Sequence, residues 1–395
     1  MKLVEQHIIK NTNPLFGELD NMCLCSKNLY NQSLYRVRQY YFENKKYLSY
    51  YQNVKELTIE NQVDYRSLPS QVAQGVVRQV DYNFKSFFAS LKSKNINHKV
   101  SLPKYIDKDG RNIITFTNQS ISRKFIKQNI LKLVGCKSTL KIIHNNVQQV
   151  RVIPKCNTII IEVIYNVEDK EMKKNNNLVG IDLGLNNLMT VGGNNIKPFI
   201  INGKPLKSIN QFYNKKLSNL KSRQDTCKNK LVNKKKIQKL TNKRNNKVKD
   251  YLHKSSRILV NQLVSNNIST VVIGHNKEWK QDINIGKKNS QNFINIPHTT
   301  LIQIITYKCK LEGIKVIQRE ESYTSKCSFI DNEDIKKHEN YQGKRIKRGL
   351  FKSKNGRYIN ADLNGALNIL KKEIPNAFDG YGIEVCSTPM VLTIK

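Results

Sequence analysis

Apolar positions change their period several times along the chain. Leu3, Val4, Ile8 and Ile9 mark residues 2–9 as a short strand. From about 14 to 98 the spacing is helical. The clearest case is Ser70–Ser93, where Val72, Val76, Val77, Val80, Phe84, Phe87, Phe88 and Leu91 recur at steps of three and four. That stripe covers one face of an α-helix, and Pro69-Ser70 suits its start. Its aromatics read as core rather than as platforms for bases. An earlier helix, about Leu15–Tyr41, places Tyr30, Tyr35, Tyr40 and Tyr41 beside Arg36 and Arg38. This mixture suits stacking and phosphate contact, and equally a half-buried helix. From about 100 to 168 the pattern shortens to β-branched runs: Ile113–Thr117, Ile130–Val134, Leu140–Ile143, Val147–Ile153 and Thr158–Tyr165. Short strands at this spacing suggest a small barrel. The first strand would join it, leaving the helices of 14–98 as an insertion.

Lys170–Asn177 is polar and reads as a linker. Beyond it, Leu178–Asp182, Leu188–Val191 and Lys197–Ile201 read as three strands joined by Gly/Asn turns. A long basic helical stretch follows. Then come a strand at Thr270–Ile273, a helix from about Pro297 to Glu312 ended by Gly313, and a strand at Ile314–Gln318. After a basic loop, Ala361–Lys372 is helical in pattern. The order β-β-β-α-β-α-β-insert-α is that of an RNase H-like fold.

Charge changes the picture. The 395 residues hold 68 Lys and Arg against 30 Asp and Glu, a formal net charge of +38. Self-repulsion at that charge argues against an enzyme of small metabolites and for a polyanionic partner, nucleic acid. Codon bias of an AT-rich genome is the plainer explanation, but it would supply acids too. Between Lys204 and Lys254 stand 17 bases and two acids, Asp225 and Asp250. Tyr213, Leu217, Leu220, Cys227 and Leu231 keep an apolar seam there, which suits two antiparallel helices. Lys234, Lys235, Lys236, Lys243 and Arg244 are the expected phosphate contacts of this hairpin. Residues 341–357 carry no acid and a second basic run, in which Lys344, Arg345, Lys347 and Arg348 are expected to touch nucleic acid. No apolar run approaches the roughly 20 residues of a membrane span. Met1–Lys10 carries Glu5, Gln6 and His7 where a signal peptide is apolar. Eight cysteines form no CxxC pair, which argues against a zinc ribbon and against a disulfide framework. An intracellular, reduced protein is expected, cytoplasmic and nucleoid-associated if the host is bacterial.

In so basic a chain a carboxylate ending an apolar strand is informative. Asp182 ends the first strand of the second half, before Gly184. Asp362 lies in the first turn of the last helix. Two such aspartates can bridge divalent metals through hard oxygen ligands, and a metal pair cleaves phosphodiesters. Taken singly, Asp182 also fits a turn cap, and Asp362 a charge on the helix dipole.

Ile181-Asp182-Leu183-Gly184 and the run Asn360-Ala361-Asp362-Leu363-Asn364-Gly365-Ala366-Leu367-Asn368-Ile369 resemble the first and last RuvC motifs of TnpB/OrfB-like proteins of bacterial insertion sequences, relatives of Fanzor proteins and type V CRISPR nucleases. Leu68–Gln74, Lys85–Phe88, Leu102–Tyr105 and Tyr323–Ser328 resemble further segments of that family in the same order. The resemblance implies an α/β multidomain protein. A wedge β-barrel (1–10 and 99–170) would carry a helical recognition lobe (11–98). An RNase H-like RuvC nuclease (176–322 and 358–395) would include the basic hairpin 204–265 and be interrupted by a target-nucleic-acid-binding insert (323–357). It implies an RNA-guided DNA endonuclease of a transposable element, using Mg2+, two ions per site, or Mn2+. The partners would be a guide RNA from the element's end and double-stranded target DNA read beside a short flanking motif. It does not imply a strand-transferring transposase. A catalytically inactive RNA- or DNA-binding regulator descended from such a nuclease is the alternative.

Two departures bear on the site. Family members often carry a four-cysteine zinc motif in the insert; Cys327 stands alone here, so no zinc is expected. Many relatives end the 270–273 strand in glutamate, and this chain has Gly274. The neighbouring strand ends in Arg319-Glu320-Glu321, shortly before Thr324-Ser325, where some relatives place a relocated glutamate. Glu321 is therefore expected as the third metal ligand with Asp182 and Asp362. Glu320 ranks second and Glu278 third. The competing reading of the acidic pair is a surface balance for Arg319 and Lys326.

Overall fold

The computed structural model describes residues 1–93, 100–155, 158–226, 230–276, 286–379 and 388–394. The chain divides into two compact units, Met1–Glu168 and Asp169–Lys395, both mixed α/β.

In the first unit, strand β1 (Lys2–Lys10) leads to helices α1 (Pro14–Asn44), α2 (Tyr50–Ile59), α3 (Val63–Ser67) and α4 (Ser70–Lys92). Strand β2 (Ile114–Thr117), the turn of helix α5 (Arg123–Ile126), strands β3 (Ile130–Leu131) and β4 (Leu140–Lys141), and the long pair β5 (Val147–Lys155) and β6 (Thr158–Asn166) follow. The main sheet is antiparallel in the order β1-β6-β5-β2, so β1 and β2 are its outer strands among the described residues; β3 and β4 form a separate ribbon. Its inward residues Ile9, Val150, Val152, Ile161 and Val163 share one core with Leu19, Leu29 and Leu34 of α1 and Val72, Val76, Val80 and Phe84 of α4. The α4 stripe is core as expected up to Phe84. Phe87 and Phe88 only pack against it, and Leu91 is 55% exposed. Tyr30 is core. Arg36 pairs with Glu56 and Glu60, and the Arg38 guanidinium lies 5.0 Å over the Tyr105 ring.

The second unit opens with strands β7 (Leu178–Leu183), β8 (Asn187–Gly193) and β9 (Phe199–Asn202). The basic hairpin is helices α6 (Lys204–Thr226) and α7 (Lys230–Ser265); Tyr213 bonds Thr241 and Asn210 bonds Arg244, which fixes the pair as antiparallel. Strand β10 (Thr270–Gly274), helices α8 (Lys287–Ile294) and α9 (His298–Leu311) and strand β11 (Lys315–Arg319) follow. Then come strands β12 (Lys344–Lys347), β13 (Leu350–Lys352) and β14 (Tyr358–Ile359), helix α10 (Ala361–Glu373) and strand β15 (Met390–Leu392). The sheet order is β11-β10-β7-β8-β9-β15. Strands β7, β10 and β11 run parallel, β8 is antiparallel to both neighbours, and β15 runs parallel to β9.

Alternation along the strands sorts the two faces. Val179, Ile181, Val271 and Ile273 join the core formed with α7 and α9. Leu178 and Val272 pack against α10 through Ile369 and Leu370. Gly180 shares this second face, and a Cβ there would stand 2.0 Å from the Ala366 carbonyl oxygen. Only a residue without a side chain lets α10 lie this close to β7. No helix of the described residues is long and apolar enough to cross a membrane.

The expected insert is not a plain loop. β12, β13 and β14 form a small antiparallel sheet, and Phe329, Phe351 and Ile359 pack on Leu363 and Leu367 of α10. Two fully buried amides of α10 clamp it: Asn364 binds Phe329 N (2.9 Å) and the Cys327 carbonyl (2.8 Å), and Asn368 binds the Thr324 and Cys327 carbonyls (2.9 and 2.8 Å). Buried Glu333 accepts from the amides of Ser328 (2.7 Å) and Gln342 (3.0 Å). The buried Cys327 thiol faces the Lys336 carbonyl at 3.7 Å.

Candidate active site

Three carboxylates gather at the C-terminal edge of the parallel strands. Asp182 is on the α10 face of β7 by alternation with Leu178 and Gly180. Its Oδ2 lies 3.1 Å from the position a Cβ of Gly365 would take. Asp362 sits in the first turn of α10, which Asn360 caps by accepting from the amides of Asp362 and Leu363. Asn187 Nδ2 donates to Asp362 Oδ2 (2.7 Å), and Arg345 of β12 donates to Oδ1 (2.9 Å). Glu321 follows β11. Its amide donates to Asn276 Oδ1 (2.9 Å), which fixes the turn that aims the side chain inward.

Gly274 has a part in this placement. A Cβ on it would come within 2.7 Å of Glu321 Oε2 and 2.5 Å of Ile369 Cδ1. The glycine that ends β10 thus leaves the space in which the glutamate of the neighbouring strand lies. Glu320, the preceding residue, takes a different course. It pairs with Lys372 (2.7 Å) and accepts from the Ser322 amide (2.9 Å), interactions that hold its carboxyl below the usual range. Surface balance describes Glu320 and not Glu321. Glu278 lies outside the described residues.

The electrostatics separate Asp182 and Glu321 from ordinary surface carboxylates. Burial pushes Asp182 well above its usual pKa, and Glu321 and then Asp362 push it further; Arg345 and the Leu183 amide oppose. Glu321 is raised to about 7, first by burial and then by Glu320, with Lys372 opposing. Negative charge is thus gathered where protein has displaced water, and this suits a site completed by a cation. Asn186 adds a buried Oδ1 with no hydrogen-bond partner among the described residues. The all-oxygen donor set fits a hard divalent metal. Among the described residues, however, no three such side chains are drawn together closely enough to hold an ion, and Arg345 supplies the positive charge beside Asp362.

A stability consequence follows. Metal-free protein retains a proton on Glu321 that the unfolded chain releases near pH 4.5. The resulting stability is full below that pH and is lost as pH rises through about 7. Thermal melts of metal-free protein should therefore fall by several degrees between pH 5 and pH 8, and added Mg2+ should reverse the fall at the upper end. A flat melting profile in chelator would contradict this picture of Glu321.

Asp182 and Asp362 line a cleft of about 320 Å3 with Asn186, Lys204, Arg345 and Arg348. Its rim is basic. Arg345 and Arg348, expected only as nucleic-acid contacts, thus border the acids, while Lys344 and Lys347 are exposed on β12. On the hairpin Lys235, Lys236 and Lys243 are accessible to solvent. Lys234 is on α7, its side chain outside the described part. Arg244 is already engaged: it donates to Asn210 Oδ1 (2.8 Å) and the Asn295 carbonyl (2.7 Å), and its guanidinium lies 5.7 Å over the Tyr213 ring. Sequence reasoning missed Asn187 and Asn276, ordinary amides whose roles exist only once the strands are aligned.

Residues 162–280 match the family described as OrfB_IS605, probable transposase, and residues 298–369 match the Cas12f1-like TNB domain. Both matched segments contain residues of the cleft. In these segments the chain is similar to TnpB-like proteins. The TnpB-like protein ORF457 of Acidianus two-tailed virus is 27% identical over 210 residues, 51% of this chain. That match spans 43% of the viral protein's own length. Two solved structures are similar. One is a Cas12f1-sgRNA-target DNA complex (18% identity, 94% of this chain, 100% of that chain, TM-score 0.39). The other is a CRISPR-Cas12f ternary complex (17% identity, 94% of this chain, 82% of that chain, TM-score 0.40).

Proposed function

We propose that the protein is an RNA-guided DNA endonuclease of a transposable element. In this reading the second unit is an RNase H-like RuvC domain and the first carries the wedge sheet with its recognition helices. The observation that carries it is the charge coupling of Asp182 to both Glu321 and Asp362, with Asp182 and Asp362 lining one basic cleft. Asp182, Glu321 and Asp362 would hold Mg2+ or Mn2+. Such a metal, when bound, would supply charge against the developing negative charge of the phosphodiester and would lower the pKa of water. The chain's own residues position the substrate. Asn187 orients Asp362, Asn276 orients the turn of Glu321, and Lys204, Arg345 and Arg348 hold phosphates at the rim. Base pairing to a bound RNA supplies the sequence specificity. The net charge of +38 supplies affinity for that RNA.

Purification from the native host, followed by sequencing of bound RNA and incubation with matching duplex DNA in Mg2+, tests the reading. Discrete RNA and Mg2+-dependent cuts are expected. Bound RNA without any cut would favour the inactive regulator, and no RNA at all would overturn the RNA-guided reading and leave a DNA-binding regulator.

RNA affinity should fall at least about 10³-fold between roughly 50 and 200 mM salt, because counterion release dominates. Replacing Lys235, Lys236 and Lys243 by Gln should weaken binding of unrelated sequences alike and flatten the salt slope. An unchanged slope would remove the hairpin from the phosphate contacts.

A further inference from the structure

We propose that the groove between α6 and α7 holds one nucleobase of the DNA strand to be cut, stacked on Phe212. The proposal rests on the nuclease reading and names how its substrate strand is positioned. The groove is a cavity of about 240 Å3 lined by Ser208, Ile209, Phe212, Leu240, Lys243 and Lys247. That is smaller than the roughly 300–1,000 Å3 of pockets for drug-sized ligands, and it suits a single planar ring. Phe212 is 61% exposed, a large apolar ring left facing solvent on a strongly basic hairpin. Lys216 Nζ stands 5.9 Å from its centroid. The adjacent wall is fixed: Tyr213 bonds Thr241 (3.0 Å) and carries Arg244 over its ring.

Position and charge select the occupant. Lys204, Ser208, Phe212 and Lys216 are spaced by four along α6, so they share one stripe. Lys204 lines the cleft of Asp182 and Asp362. Phe212 lies eight residues further, about 12 Å along the helix, or roughly three nucleotides of a stacked strand. A strand entering the cleft therefore runs along this stripe. The rim offers Lys216, Lys243 and Lys247 for phosphates. Asp250, an acid on these helices, is paired with Lys254 (3.1 Å). An aromatic face ringed by lysines is the arrangement that binds unpaired bases without regard to sequence. A basic protein segment would find no acidic counterpart here, and a paired base cannot enter.

The test uses the full-length protein with its co-purified RNA and Asp182→Asn to prevent cutting. The probe is a single-stranded DNA oligonucleotide partly complementary to that RNA, which fixes its register, with 2-aminopurine walked along the unpaired part. Fluorescence should be quenched at one or two adjacent positions. Phe212→Ala should abolish the quench and weaken binding about five- to a hundredfold, the range for losing one stacked base. Phe212→Trp should keep both. Uniform quenching along the strand, or quenching indifferent to Phe212→Ala, overturns the proposal. So does loss of the co-purified RNA with DNA binding intact, because the occupant is then the RNA. The readout is binding. Phe212-dependent quenching in a protein that never cleaves would leave the pocket standing and sink the nuclease reading instead.

Discussion

Glu321→Gln should cleave target DNA several orders of magnitude more slowly than the parent protein while binding RNA with unchanged affinity. The substitution keeps size and polarity and removes the carboxylate whose charge acts on Asp182. Metal charge at a scissile phosphate is worth several kcal/mol, and each 1.4 kcal/mol is about tenfold in rate. Glu320→Gln is the control. Its carboxylate faces Lys372 at the surface, so cleavage should remain near the parental rate. Gly274→Ala should act in the same direction as Glu321→Gln, because the new Cβ would press on Glu321 Oε2. Single-turnover cleavage with preloaded RNA measures all three. Parental rates in Glu321→Gln, or loss of activity in Glu320→Gln alone, would reject Glu321 as the third ligand.

Gly180→Ala should be the most destabilising single-methyl change in the second unit. The new Cβ would stand 2.0 Å from a backbone oxygen of α10, and neither strand nor helix can yield locally. Overpacking ordinarily costs about 1–3 kcal/mol, and a clash between two backbones lies at or beyond the upper end. The expected result is a melting temperature lower by roughly 5–10 °C, with cleavage lost because α10 carries Asp362. Gly75→Ala provides the contrast. Gly75 lies on the exposed side of α4 with nothing within 4 Å of its Cβ position. There helix propensity alone should add up to about 1 kcal/mol. Melting curves of equal depression for the two variants would refute the steric account of Gly180.

Much of this architecture is legible in the residues. Apolar period places β1, α1, α4, β5 to β7, β10, α9, β11 and α10 within a few positions, because each buries one continuous face. Where burial is thin the pattern falls silent. β12 reads Lys-Arg-Ile-Lys, exposed throughout, and exists only by pairing with β13. β15 is three residues long and takes its direction from β9. α8 carries too little periodicity to separate from a loop, and α2 and α3 read only as part of one helical stretch without their own bounds. In the candidate site, strand and helix signals place Asp182 at a strand end and Asp362 at a helix start, whereas Glu321 follows from the resemblance to relatives that relocate a glutamate to this strand end. Arg345 is readable only as one base among several in its run. Its approach to Asp362 depends on how β12 folds back, which no local spacing encodes.

The amides of Asn364 and Asn368 give α10 two tasks at once. One turn of the helix carries Asp362, and the next two grip the carbonyls and an amide of 324–329. Insert and acid are therefore held by one helix. A displacement of Arg345 on the basic strands would reach the Asp362 carboxylate directly through their hydrogen bond, without passing through the sheet. Coupling of this kind is reciprocal: whatever settles the charge on Asp362 also sets how freely Arg345 swings, so cleft and insert would sense each other's occupants through a single helix.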